Sequence, residues 1–221
     1  MSGESPPKSL KDQNRWPLWL TIAANFALFY VISQSDALAS VGWQGLLTGA
    51  VNLLPVGLAL IVTSVANGLL SAAVKARLVF LRWHHALPGN RAFSAHAPAD
   101  PRIDLERLKK ALGKKWPESP ADQNRAWYRI YKEMEGEAAI IQVHREFLFT
   151  RDYAAFALLF LLGFGTAAVF LISARTVQIG YCLFLLGQFV VVRQAAATYG
   201  TRLVTTVLAR KAAKPSRAAR K

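Results

Sequence analysis

Four stretches of this chain contain no charged residue: 18–32, 43–74, 153–174 and 176–192. Elsewhere the chain is strongly basic, with 27 Lys and Arg against 13 Asp and Glu and a formal net charge of +14. A soluble domain spreads its charge over its whole surface. Segregation of this kind, with positive mean hydropathy, predicts helices that cross a membrane. A crossing takes roughly 20 apolar residues to span about 30 Å of hydrocarbon. The two later stretches reach or approach that length, and the second exceeds it. The first meets the lower limit once Trp16 and its polar flanks are included. The rival, a soluble all-helical core, does not account for the segregated charge.

The expected fold is therefore all-α and polytopic, with four transmembrane helices arranged as two hairpins. The first hairpin occupies 16–74, with helices at about 16–33 and 49–74. The second occupies 153–199, with helices at about 153–173 and 177–195. A disordered segment, 1–15, precedes them. A helical cytosolic insertion, 75–152, lies between the hairpins, and a basic cytosolic tail, 200–221, follows them.

Basic residues near the spans set the orientation. Lys8, Lys11 and Arg15 precede the first span, whereas the connection 33–42 holds only Asp36. The insertion carries 15 Lys and Arg against 10 Asp and Glu, and the tail has no acid at all. Both termini and the insertion are thus expected in the cytosol of a bacterial-type inner membrane. Ala37-Leu38-Ala39 has the form of a signal-peptidase site, but the apolar stretch before it is long and starts late. The first span is expected to stay.

The second apolar run would measure about 48 Å as one helix, so it must tilt, kink at Pro55 or start along the interface. Gly45 and Gly49, then Ser64, Gly68 and Ala72, recur at a spacing of four. That spacing puts small residues on one helix face, where a second backbone can approach. Asn25, Asn52, Asn67 and Gln188 are polar residues within or near the spans, and each should bond to another helix or face a wet cavity. No ionisable residue lies deep in a span, which argues against an ion-coupled transporter. Cys182 is the only cysteine, so no disulfide can form within one chain.

The insertion is expected to begin with span two continuing as one helix through "KARLVFLRWHH" to a break at Pro88-Gly89. Asp100-Pro101 should cap a helix running to Gly113, with Leu105, Leu108 and Leu112 on one face. Ser119-Pro120 should start another, with Trp127, Tyr131 and Met134 on one face. A further helix is expected from about 137 straight into span three.

The stretch "RWHHALPGNRAFSAH", 82–96, holds three of the four histidines. Adjacent His84 and His85 point about 100° apart on a helix and share an ion poorly, so no metal site is expected. Ser94, His96 and Asp100 are close in sequence, but a catalytic triad is a matter of geometry and has no such local signature. No phosphate loop, GxSxG or HExxH occurs, and no cofactor or catalytic residue is assigned. Arg82, His84, His85, Asn90, Arg91 and His96 are instead candidates for sensing an anion or other ligand. They combine arginine's affinity for anions with histidine's titration near neutral pH. Near them, Glu133, Glu135 and Glu137 are candidate acidic partners.

The expected function is a non-enzymatic, homo-oligomeric membrane sensor or effector. Its insertion receives a cytosolic protein or small ligand, and its membrane helices respond by forming a pore or perturbing the bilayer. Basic segments, including "ARKAAKPSRAARK", should meet anionic lipid. Nucleic acid is a poor fit, because the tail has no interleaved aromatics. The alternative is an interfacial enzyme acting on lipid or lipid-linked phosphate through His84, His85 and Arg91.

Overall fold

A computed structural model describes residues 9–34, 42, 65, 67–113 and 116–214. They are all-helical, with no strand among the described residues. Among the described residues, three helices are long and apolar enough to cross a membrane: α1 (Arg15–Ser33), α5 (Ala138–Leu171) and α6 (Arg175–Ala213). Between them lie α2 (Ala72–Phe80), α3 (Leu105–Leu112) and α4 (Pro120–Met134). Most of the predicted second span, with Trp43, Gly45, Gly49, Asn52, Pro55 and Ser64, falls outside the described residues, as does the candidate cleavage site.

α5 and α6 organise everything else. At 34 and 39 residues they measure about 51 and 58 Å, well beyond the roughly 30 Å of a bilayer's hydrocarbon. They run antiparallel. Gln178 meets the carbonyls of Ala168 and Val169, Gln188 meets Tyr153, Gly200 meets Phe147, and Arg210 meets Glu137. The turn between them is short because Gln178 closes it. Its Nε2 donates to Ala168 O at 3.2 Å and Val169 O at 2.9 Å, satisfying carbonyls that the end of a helix leaves open, and Arg175 donates to its Oε1 at 2.7 Å.

The apolar half of this pair packs on α1. Phe156, Phe160, Phe164 and Ala168 recur every four residues on one face of α5 and meet Ile22, Phe26 and Phe29. Phe164 stacks on Phe29 at 4.6 Å and takes Phe26 edge-on at 4.7 Å. Such pairs add about 0.5–1.5 kcal/mol each beyond their buried area. The other faces are exposed and apolar: Leu162, Val169 and Phe170 on α5, and Ile179, Leu183, Phe184, Leu186, Val190 and Val191 on α6. A surface of that kind needs lipid rather than water. The three helices mark a membrane protein.

The polar half forms a second core. Residues 86–113 and 116–137, with α3 and α4, form a lobe whose Phe93, Leu108, Ile130 and Met134 pack on Ile140 and Phe147 of α5 and on Leu203, Val204, Val207 and Leu208 of α6. The expected helix faces hold, since Leu108, Tyr131 and Met134 are buried while Leu105, Leu112 and Trp127 pack beside them. So does the start of α4, where Ser119 Oγ accepts from Asp122 N at 3.2 Å and donates to Asp122 Oδ2 at 2.7 Å.

Several expectations need correction. The basic tail expected from residue 200 is no separate segment up to Ala213, because α6 continues that far with its inner face in the lobe core. Lys211 binds Glu133 at 2.7 Å and Lys214 binds Glu137 at 2.8 Å, so these bases meet acids of their own lobe. Asp100-Pro101 makes a turn. The cap of α3 is Asp104, which accepts from Arg107 N at 3.0 Å. The helix expected to continue through residues 75–85 is also interrupted twice. Ser71 caps a fresh start for α2, and Leu81, at φ 49°, ends it in the left-handed region.

At the neck between the two halves, α2 is held to both long helices. Lys75 Nζ reaches Asp152 Oδ1 at 3.1 Å, both side chains being 9% exposed, and Arg151 binds the same oxygen at 2.9 Å. Arg193 of α6 donates to Val79 O at 2.9 Å. Gly200 lets Phe80 and Phe147 close on α6, since a Cβ there would sit 2.7 and 2.8 Å from their ring carbons. Gly200→Ala should destabilise the protein by about 1–3 kcal/mol through overpacking. Phe80→Ala in that background should recover part of the loss. Thermal unfolding in detergent checks both, and strictly additive losses would contradict this close approach.

Candidate functional site

The 82–96 stretch divides into two halves with opposite fates. Residues 81–85 are exposed, including Arg82, His84 and His85. Trp83 is exposed too, with Arg77 over its ring at 5.3 Å. His85, like Leu81, is in the left-handed region, at φ 50°. From Ala86 onward the chain dives into the lobe. Pro88, Gly89 and Asn90 are buried in a 3-10 turn, and Ala92–His96 follows as a single π-turn. Gly89 is required here, because a Cβ would overlap the Asn124 carboxamide and the Trp127 ring.

Gln123 of α4 shapes the turn. Its Oε1 accepts from Phe93 N and Ser94 N at 3.1 Å and from Ser94 Oγ at 3.0 Å, while its Nε2 donates to Glu118 O at 2.9 Å. Ser94 is thereby committed to Gln123. Asp100 is committed to Arg102, whose Nε and guanidinium NH2 bind it at 2.9 and 2.6 Å. Asp104 caps α3, and Asp122 accepts from Ser119 Oγ and pairs with Arg125. Ser94, His96 and Asp100 therefore form no catalytic relay.

The structure instead gathers positive charge that has no ion-pair partner among the described residues. Arg91 and His96 are half-buried, and Arg82 lies near enough to act on both. Burial, then Arg82, lowers the Arg91 pKa from its ordinary value. Burial, then Arg91 and Arg82, pulls His96 down to about 4. His96 is therefore neutral at physiological pH. Among the described residues, seven buried side-chain atoms lack a hydrogen-bond partner. Three are nitrogens, and all three lie in this lobe: Arg91 Nε, His96 Nε2 and Trp127 Nε1. The others are oxygens. Buried polar atoms are seldom left unpaired, so the unmet nitrogens of Arg91 and His96, beside Arg82, suit an anion.

His96 also borders a groove of about 660 Å³ between the 96–102 elbow and α6, lined by Gln194, Thr198, Thr201 and Arg202 among others. Arg102 ties the elbow to α6 through Thr205 Oγ1 at 3.0 Å, and its hydrogen bonds hold the Asp100 carboxyl well below the usual range. No family, characterised protein or solved structure matches this chain.

The remaining candidates are dispersed. Glu133 and Glu137 pair with α6 bases, and Glu135 pairs with Lys132, so none of the three serves His84, His85 or Arg91. Gly68 and Ala72 are exposed, and nothing lies within 4 Å of a Cβ built on Gly68. Gln188 makes the expected bond between helices, to Tyr153 OH at 2.8 Å. Asn25 bonds within its own helix, to Thr21 O. Asn67 is buried with its Oδ1 unpaired. Cys182 is half-buried, its Sγ 3.8 Å from Gly165 O. Gln123, Thr198 and Thr201 were invisible in the sequence, because only the fold brings them to the stretch.

His96 makes a prediction about pH. With the folded pKa at about 4 and the unfolded value near 6.5, the unfolded chain binds more protons between those limits. Stability should fall as pH drops from 6.5 toward 4. Asp100 adds nothing in that window, since its contribution is lost only below the unfolded carboxylate pKa. Thermal midpoints of the detergent-solubilised protein should decline over this range, and His96→Gln should flatten the decline. An unchanged profile in the variant would contradict the assignment.

Proposed function

We propose that this chain is a multi-pass protein of a bacterial-type inner membrane, with four spans in two hairpins and with both termini and the lobe in the cytosol. It acts as a non-enzymatic, homo-oligomeric sensor or effector. The lobe takes up a small anionic ligand, or an acidic group of a partner, at Arg91 and His96, and the membrane helices respond by opening a pore or perturbing the bilayer. The charge distribution supports the orientation, because basic residues crowd one side of every span.

The observation that carries this reading is the continuity of α6. One helix lines the groove beside His96 with Thr198 and Thr201, and also presents Leu183, Phe184 and Val191 outward from the apolar half. A ligand that favours one packing of the lobe on residues 194–205 acts on the same rigid rod that lies in lipid. The route runs through α6 rather than through a continuation of span two, since α2 is broken at Ser71 and Leu81. The enzymatic alternative has less support, because His84 and His85 are exposed while Arg91 is half-buried, and Ser94 is committed to Gln123.

Binding of inorganic phosphate, pyrophosphate and sulfate to the full-length protein in detergent tests the reading. Calorimetry with sulfate, whose charge is constant over the range, should show uptake that is tighter at pH 4.5 than at pH 7.5, since an anion stabilises protonated His96. Arg91→Gln should weaken it about tenfold or more, the scale of a charge-assisted hydrogen bond. In cells, a membrane-potential dye should report depolarisation that the same variant alters. Binding that ignores pH and the Arg91 substitution would refute the site.

A further inference from the structure

A second cavity, independent of the Arg91–His96 site, lies at the neck. It has a volume of about 480 Å³ and sits between the start of α1, the 67–75 segment and the middle of α5. Its lining is graded along the helices. At the lobe end are Arg15, Lys75, Arg151 and the carboxylates of Asp12 and Asp152, three bases against two acids. One to two turns further into the apolar half, Leu18, Trp19, Ile22 and Phe156 form the wall. Asn67 lies in this deeper part. It is 8% exposed, and its Oδ1 has no hydrogen-bond partner. Leaving a buried amide oxygen unpaired is costly, which favours an occupant that donates a hydrogen bond there.

A cavity that is basic at one end and apolar at the other, aligned with the membrane-crossing helices at the level where their charge begins, has the polarity profile of a lipid. We propose that this cavity binds an anionic phosphoglyceride. Its phosphate meets Arg15 and Arg151, a headgroup or glycerol hydroxyl donates to Asn67 Oδ1, and the first methylenes of an acyl chain lie along Trp19, Ile22 and Phe156. Asp152 already holds Lys75 and Arg151 together, so the bound phosphate would share the guanidinium with that carboxylate and lock α1 and the 67–75 segment to α5. This proposal rests on the membrane reading alone and does not need the Arg91–His96 site.

Two variants keep the fold while probing opposite ends. Arg15 is exposed, and Asn67→Leu replaces an unpaired amide with an apolar side chain of similar size. The full-length protein in a non-ionic detergent would be titrated with dioctanoyl phosphatidylglycerol, dioctanoyl phosphatidylcholine and glycerol 3-phosphate, with the thermal midpoint as readout. Phosphatidylglycerol should raise the wild-type midpoint by several degrees, and Arg15→Gln and Asn67→Leu should each cut that rise by half or more. Phosphatidylcholine and glycerol 3-phosphate should give smaller shifts. The proposal is overturned if both variants respond like the wild type, if phosphatidylcholine matches phosphatidylglycerol, or if glycerol 3-phosphate reproduces the whole shift. The last result would assign the site to soluble phosphate.

Discussion

Two helices longer than a membrane is thick impose the rest of this structure. A bilayer solvates apolar side chains over about 30 Å, and α5 and α6 extend roughly 20–30 Å further. Their excess turns carry Phe147, Leu203, Val204, Val207 and Leu208, which would be stranded in water without a cover. The lobe supplies that cover. Its short helices α3 and α4 bury one face each against the same two rods. A unit of some 70 residues is marginal by itself, and here its core is completed by residues that the membrane helices bring. Lobe and bundle are therefore two ends of one packing problem rather than two domains joined by a linker.

The neck solves a different problem. Where the helices leave lipid, α2 has to be fixed between them. It is fixed by a buried carboxylate that serves two bases and by an arginine that takes up a helix-terminal carbonyl. Buried ion pairs add little net stability against a well-packed apolar alternative, because both charges lose water. They are demanding about geometry, however. A one-turn slip of α2 would leave Asp152 with Arg151 alone and set Lys75 in an apolar wall. The neck thus fixes register, and Gly200 makes that register possible by admitting two phenylalanine rings against the α6 backbone.

Much of this was legible in the sequence. The uncharged stretches announced α1, α5 and α6. Ser119-Pro120 and Gly113 punctuated the lobe as local rules require. What failed was non-local. Hydropathy ends α6 near Arg193, but the helix continues because its next four turns exchange lipid for lobe side chains. The residues 209–213, read by charge alone, look like a lipid-seeking tail, yet Glu133 and Glu137 claim those charges. Lys75 and Asp152 stood at the two ends of the predicted insertion, and nothing local says that they meet. For the candidate site, Arg91 and His96 were candidates by residue type alone. The separation of exposed His84 and His85 from buried Asn90 and half-buried Arg91 depended on Gln123, which is 30 residues away from the backbone it bonds.

The claim that α6 passes from lipid into the lobe as one helix has a direct measurement. Nitroxide labels placed singly at Leu183, Leu186, Val190, Arg202 and Arg210 in the reconstituted protein would be scanned for collisions with oxygen and with a water-soluble nickel chelate. Oxygen should dominate at the first three positions and nickel at the last two, with the change falling near Arg193. Nickel accessibility throughout Leu183, Leu186 and Val190 would mean that α6 does not lie in lipid, and the account built on its continuity would fail.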